Sequence, residues 1–336
     1  MFPQSNLLIS LSHLSFIDLP PPINHLSIDP LPSDIKTRFL IISDTHGHEL
    51  PTGYSQHEAD VAIHCGDLTD GAKLDEFKTA ITLLHSIKAP LKLVIASNHD
   101  FTMDIPVFRG KVAEIRPPVE RELIKKEYGD YGEVREVLFQ QAGSSEIIFL
   151  DEGSHTFTLP NGALLKVYAS PYTPSLGNWA FGNWGFQYPP ETGHTFDIAN
   201  DVDIVITHGP PRGIMDTTCT GVRAGCPSLF EAVARARPRM HCFGHVHQGW
   251  GAKLVAWRPK ISERPSNLTN IDNGRSKIIR NLSQVNLGMS VLETSHCTQD
   301  EYPLKNKSHT LFVNAAIEGN HSHPIWLVDL ELPPAV

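Results

Sequence analysis

Five apolar runs in this chain each stop abruptly in side chains that bind metals or move protons, and this recurrence constrains the fold more than any other feature. The runs are TRFLIISDTHG, ending in Asp44 and His46; ADVAIHCGDLTD, ending in Asp67; and LKLVIASNHD, ending in Asn98, His99 and Asp100. DVDIVITHGPP ends in His208, and MHCFGHVHQGWG in His245 and His247. Each run has the length and apolar character of a strand. In an open α/β sheet, binding sites form beyond the carboxyl ends of the strands, so residues distant in sequence meet there. A lone Asp-x-His or His-x-His arises by chance; five such endings in order do not.

Between the second and third runs, Leu74, Phe77, Ile81, Leu84 and Ile87 recur at steps of three and four residues, which predicts an amphipathic helix stopped by Pro90. Strand, helix and strand of this length make a right-handed βαβ unit. Residues 117–141 are charged and helix-prone, and read as a solvated face. Residues 146–171 read as strands around the turn Pro160-Asn161-Gly162. HTLFVNAAI and PIWLVDLEL are the closing strands. Residues 1–36, rich in Pro and Ser, read as an extended lead-in to one domain over 37–332. The polar stretches 258–285 and 295–309 read as exposed insertions. The residues alone thus show alternating strands and helices, with no internal repeat.

The formal net charge of -9 leaves no wide basic face for duplex nucleic acid, although a bound metal can reverse the field for a small anionic substrate. Five cysteines without a CxxC pair do not form a disulfide framework; Cys65 and Cys242 lie in apolar runs and read as buried free thiols. That favours a reducing compartment. No signal peptide and no membrane span is seen, so a cytoplasmic location is expected. The four Asn-x-Ser/Thr sequons, at Asn267, Asn281, Asn306 and Asn320, read as chance occurrences.

Carboxylate, imidazole and amide oxygen together suit Mn, Fe or Zn. Seven such ligands exceed what one ion needs; they suit two ions about 3.5–4 Å apart with one carboxylate bridging. The ordered set DTHG, GDLTD, SNHD, THGPP and GHVH resembles the calcineurin-like metallophosphoesterase superfamily, over residues 38 to 330. ASPYTP at 169–174, GNWAF at 177–181 and VNAA at 313–316 are similar to its metallophosphoesterase-domain-containing branch. The resemblance implies a four-layer αββα sandwich of two mixed β-sheets flanked by helices. It implies that Asp44, His46 and His247 bind one divalent ion, that Asn98, His208 and His245 bind a second, and that Asp67 bridges them. It further implies a hydroxide shared by the ions that attacks phosphorus in line. His99 assists the leaving group as general acid or electrostatic stabiliser, and Asp100 orients its ring.

Ser97 stands where the family has Gly; a positive φ there would cost about 1 kcal/mol, whereas a need for smallness alone tolerates Ser. GDLTDGAK lacks the Arg typical of the family's protein phosphatases, which disfavours a phosphoprotein substrate. A phosphodiesterase or phosphomonoesterase acting on a small phosphate ester is the leading reading. A metal-binding scaffold with little turnover and a nuclease are the alternatives. Trp179, Phe181, Trp184 and Phe186 are read as packing under a loop or as a wall for an aromatic group. Arg212 reads as a phosphate contact or a plain surface residue. His48 and His64 lie off the ligand register and read as supporting or structural residues, and Asp70 as a candidate hydrogen-bond partner of a ligand.

Overall fold

The computed structural model describes residues 33–48, 50, 54–136, 146–175, 184–286, 288–317 and 323–335. Most of the lead-in, together with Trp179 and Phe181, therefore lies outside the described residues. Ile35 and Lys36, placed in the lead-in by sequence, instead open the first strand.

Fifteen strands are described. They are β1 (Ile35–Ile42), β2 (Val61–His64), β3 (Leu91–Val94), β4 (Ile147–Phe149), β5 (Gly153–Thr158), β6 (Leu164–Ser170), β7 (Thr173–Pro174) and β8 (Gln187–Tyr188). They continue with β9 (Ile204–Thr207), β10 (Met240–Phe243), β11 (Gly251–Ala256), β12 (Lys277–Asn281), β13 (Val291–Ser295), β14 (His309–Asn314) and β15 (Ile325–Leu332). Helices α1 (Leu74–Ser86), α2 (Ile105–Glu114), α3 (Arg121–Tyr128), α4 (Pro227–Ala236) and the short α5 (Asn267–Asn270) join them.

One sheet runs β13-β15-β1-β2-β3-β4 and the other β12-β11-β14-β10-β9-β6-β5. Both are mixed: β1 pairs in parallel with β2 and antiparallel with β15, and β14 pairs in parallel with β10 and antiparallel with β11. Within β1, Phe39 and Ile41 face the other sheet, joining Val167, Ile206 and Val313 in one apolar cluster. Leu40 and Ile42 point the other way, onto Phe77, Ile81 and Leu84 of α1. The second sheet repeats this, with Val205, Phe243 and Phe312 covered by Leu229, Phe230 and Val233 of α4. The layers are helix, sheet, sheet and helix, as the resemblance implied. Burial on both faces is why these strands read as continuous apolar runs rather than alternating ones.

α1 occupies the span its periodicity predicts, and Glu76 Oε2 accepts from the amides of Lys73 and Gly71 at its start, both at 3.0 Å. α3 buries no residue. β5 and β6 pair antiparallel across the Pro160-Asn161-Gly162 turn, where Gly162 has φ +88°. The polar stretch 258–285 contributes α5 and the edge strand β12, in which Lys277 and Ile278 are exposed and the other three residues half-buried.

His241 is the polar exception beneath α4. Thr207 Oγ1 donates to the Gly209 carbonyl at 2.7 Å, so it accepts from His241 Nε2 at 2.9 Å and leaves the buried Nδ1 without a partner. Burial pushes this imidazole down to about 3. Between pH 6.5 and 3 the unfolded chain then binds a proton that the folded chain does not, so stability falls as pH falls through that window. Replacing His241 with Gln is expected to flatten this fall by a few kcal/mol, read from urea midpoints at pH 7 and pH 4. An unchanged slope would remove His241 from the acid response.

Candidate metal centre

All five ligand-bearing loops leave the carboxyl ends of strands: β1, β2 and β3 in one sheet, β9 and β10 in the other. The loops turn sharply. Asp44, His46, Asp67 and His245 have φ of 57°, 48°, 53° and 66°, in the left-handed region where a non-glycine residue costs about 1–2 kcal/mol. Backbone bonds hold them there: Asp44 N donates to Gly66 O at 2.9 Å and His46 N to Asp67 O at 3.0 Å. Glycine is needed at two neighbouring positions for close approach. A Cβ on Gly244 would lie 2.0 Å from Asp44 Oδ2, and one on Gly66 would lie 2.6 Å from Ser97 Cβ.

The side chains converge. Asp44, His46 and His247 offer ligand atoms within 4.8 Å of one another, and so do Asp67, His208 and His245. A third group, His46, Asp67 and His99, overlaps the first through His46 and the second through Asp67. His208 Nε2 lies 3.2 Å from Asp67 Oδ2, and His46 Nε2 lies 4.0 Å from the same oxygen. His247 Nε2 lies 3.3 Å from Asp44 Oδ1. Asp44 also accepts the His245 amide on both oxygens, at 3.0 and 3.1 Å.

The rings are turned by backbone carbonyls. Nδ1 of His46 meets Thr69 O at 3.2 Å, Nδ1 of His208 meets Cys65 O at 2.9 Å, and Nδ1 of His99 meets Asp70 O at 2.6 Å. A carbonyl only accepts, so each Nδ1 carries a proton, and in His46 and His208 Nε2 is the nitrogen turned toward the centre. Sequence pattern could not reveal these partners, because a carbonyl leaves no mark in side-chain identity. Asp70, expected to hydrogen-bond a ligand, instead meets His99, through its carbonyl and with Oδ1 at 3.7 Å from the same Nδ1.

Two buried atoms test whether the donor set fits a cation. Among the described residues Asn98 Oδ1 has no hydrogen-bond partner, and His208 Nε2 has none of hydrogen-bond geometry despite its closeness to Asp67. Asn98 Oδ1 can only accept, and a buried acceptor left unpaired costs roughly 1–3 kcal/mol, a cost that a cation removes. Asn98 sits between Ser97 and His99, whose hydroxyl and amide both donate to Asp67 Oδ1, the amide at 3.1 Å. Asp67 Oδ2 is thereby the oxygen facing both groups of ligands.

Electrostatics agree. Burial alone raises the Asp44 carboxyl, but the hydrogen bond from His247 and the charge of His208 outweigh it and hold Asp44 at about 2. Burial acts the same way on Asp67, and the His208, His99 and His46 rings hold it well below the usual carboxylate range. Burial lowers His208, yet Asp67 and Asp44 lift it to about 9. Two buried carboxylates thus demand positive charge here.

The structure corrects the expected role of Asp100. Its carboxylate does not orient the His99 ring; it accepts from Thr69 N at 3.0 Å, Thr69 Oγ1 at 2.8 Å and Ser97 N at 3.0 Å. Asp100 therefore ties the β2 loop to the β3 loop. Burial and the charge of Asp67 push it up to about 7. Ser97 does not have a positive φ, and its hydroxyl accepts the Asp67 amide while donating to Asp67 Oδ1. Replacing Ser97 with Ala is expected to weaken metal binding roughly tenfold, by analogy with other residues that steady a ligand. Calorimetric titration with Mn²⁺ checks this, and an unaltered affinity counts against the contact.

Trp184 lies against His99, ring centres 4.4 Å apart, which supports the wall reading for this one residue of the aromatic cluster. Phe186 instead packs on Tyr172 at 5.8 Å. His64 is buried and structural: Thr45 Oγ1 and the Gly66 amide bind its two nitrogens, and burial lowers it to about 4. His48 is exposed.

Residues 37–249 match the family model described as calcineurin-like phosphoesterase. Metallophosphoesterase domain-containing protein 1 of Homo sapiens is 33% identical over 237 residues, covering 67% of this chain and 66% of that protein. A probable rhamnogalacturonate lyase C of Emericella nidulans is 32% identical over 228 residues, which cover 67% of this chain and 18% of the lyase. A UPF0046 protein of Caenorhabditis elegans is 29% identical, covering 68% of this chain and 56% of its own length. The chain thus spans less than two thirds of each of these relatives. Among the described residues no helix is long and apolar enough to cross a membrane. The match to well over half of its length, with both ligand groups inside the matched span, places this chain in the calcineurin-like phosphoesterase family.

Proposed function

We propose that the chain is a phosphoric ester hydrolase dependent on two divalent ions, Mn, Fe or Zn, and acting on a small phosphodiester or phosphomonoester. The observation that carries this reading is the pair of ligand groups linked through Asp67, together with a buried Asn98 Oδ1 that has no partner among the described residues and whose chain neighbours Ser97 and His99 both bind Asp67. Asp44, His46 and His247 would hold one ion, Asn98, His208 and His245 the other, and Asp67 Oδ2 would face both. Bound there, two divalent ions supply an activated water and offset the charge of the phosphoryl oxygens.

The chain's own residues do the rest. Ser97 and the His99 amide occupy Asp67 Oδ1, so the carboxylate cannot rotate away from the centre. His99, with Nδ1 held by the Asp70 carbonyl, carries a proton on Nε2 toward the departing oxygen. Trp184 covers the ring and limits its exchange with water. Asp100 keeps the Thr69 and Ser97 backbone in register, and so fixes the distance between the β2 and β3 loops.

Hydrolysis of bis(p-nitrophenyl) phosphate tests the proposal. Turnover is expected with added Mn²⁺ and is expected to disappear in excess chelator and return on reloading. Two bound ions without turnover in any of several divalent metals would instead favour the scaffold reading.

A further inference from the structure

The loop that follows β9 borders two adjoining cavities, and the smaller of them is also lined by the loop after β10 and by β11 and β12. The larger, of about 710 Å³, is lined by Arg212, Arg223, Ser175, Thr192, Ser228 and Glu191 among others. The smaller, of about 330 Å³, is lined by Arg223, Lys253, Arg280 and Gln248 among others. Arg223 borders both. Arg212 stands four residues beyond His208, a span of at most about 14 Å, and Gln248 follows His247 directly. The cavities therefore adjoin the loops that carry both proposed ion sites.

Their charge is unusual for a chain of net charge -9. Among the described residues, Arg212, Lys253 and Arg280 form no salt bridge; the guanidinium of Arg212 donates to the Arg223 carbonyl at 2.7 Å. Some cations elsewhere are matched, as Arg38 is by Asp329 and Arg239 by Asp203, and others such as Arg258 and Lys277 are not, among the described residues; what sets this group apart is that it gathers around two cavities that share Arg223. Arg223 is held by a single carboxylate: Nη1 lies 2.8 Å from Oδ1 of the fully buried Asp216, which also accepts the Gly213 amide at 2.8 Å. That contact fixes the guanidinium while half of the side chain stays exposed between the cavities, leaving further N–H groups to meet a ligand. Lys253 is half-buried, and burial lowers its ammonium, so an anion beside it gains more than one beside a solvated lysine. Against these four cations stand Asp216 and Glu191, which leaves a surplus of positive charge.

We infer that the paired cavities hold a second phosphate group of the substrate, with Arg223 as its fixed partner and Arg212, Lys253 and Arg280 closing on it. The substrate class is then a phosphate ester carrying at least one further phosphate, rather than an ester with a single phosphorus. This inference rests on the hydrolase reading above and narrows it.

Two arms test it. In the first, the metal-loaded full chain is given the p-nitrophenyl ester of thymidine 5′-phosphate with either a free 3′-hydroxyl or a 3′-phosphate. The 3′-phosphorylated ester is expected to show kcat/KM at least tenfold higher. Arg212→Gln and Lys253→Gln, which leave Asp216 paired, are each expected to cut that ratio at least threefold. Arg223→Gln is expected to cut it further, provided its circular dichroism matches the parent. In the second arm, thymidine 3′,5′-bisphosphate and thymidine 5′-phosphate are titrated into metal-free chain, and the bisphosphate is expected to bind at least tenfold tighter. Equal affinities, or a preference untouched by Arg212→Gln and Lys253→Gln, would overturn the inference whether or not any ester turns over. Preserved bisphosphate preference with neither ester hydrolysed supports the site and counts against the hydrolase reading alone.

Discussion

Asp67→Asn is expected to lower the affinity for divalent ions by roughly 100-fold or more and to reduce the bound stoichiometry below two per chain. Changes to residues that merely steady a ligand cost about 10–100-fold, and Asp67 is proposed as a ligand shared by both ions. Asn keeps the shape and the Ser97 contact but removes the charge. It also presents an amide nitrogen where Oδ2 now faces His208 and His46. With one carboxylate fewer, two neighbouring dications repel without the anion between them. Elemental analysis after dialysis against Mn²⁺ and calorimetric titration both read this. Two tightly held ions in the variant would show that the groups on either side of Asp67 bind independently, and the bridging assignment would be lost.

The second large effect is expected from His99→Ala, and it runs the other way: metal content unchanged, turnover reduced. A positioned general acid contributes about 10²–10⁴-fold when the leaving oxygen needs a proton. The loss should therefore be close to that range on alkyl phosphate esters and much smaller on p-nitrophenyl esters, whose leaving group departs readily as an anion. The comparison of leaving groups separates proton delivery from simple loss of packing against Trp184, which would slow both substrates alike. His99 also shares a ligand-sized group with His46 and Asp67, so metal content must be measured in the same preparation. If metal is lost together with activity, His99 is a ligand and not the proton donor.

Much of this centre was legible because strand ends are written locally. An apolar run that breaks into Asp-Thr-His or Asn-His-Asp states both the strand and the loop that follows it, and Asp44, His46, Asp67, His99, His208, His245 and His247 do converge. α1 was legible for a similar reason, since one buried face at helical spacing needs no knowledge of the rest of the chain. The division into two sheets was not. β1 and β9 look alike as sequence because both are buried on two sides, and nothing in either run says which sheet it joins. The role of Asp100 was misplaced because adjacency to His99 in sequence suggested contact, whereas the turn sends its carboxylate back to Thr69 and Ser97. The left-handed backbone at Asp44, His46, Asp67 and His245 was also hidden, since these residue types do not demand it. It became visible only with the bonds that enforce it. α2 was missed because only Phe108 of its ten residues is buried, too little for a periodic signal.

The position of the last strands has a consequence for how the molecule is made. β15 lies between β13 and β1, and β14 lies between β10 and β11, so the strands synthesised near the end of the described chain sit inside both sheets. A ribosome that has delivered only the family-matched residues 37–249 has released every proposed metal ligand, yet β1 and β10 each still lack one neighbour. Such a nascent chain presents two open edges able to pair with other chains, and its slow long-range closure prolongs that exposure. Truncation just after His247 is therefore expected to yield aggregates rather than a smaller folded domain, even though no proposed metal ligand is missing.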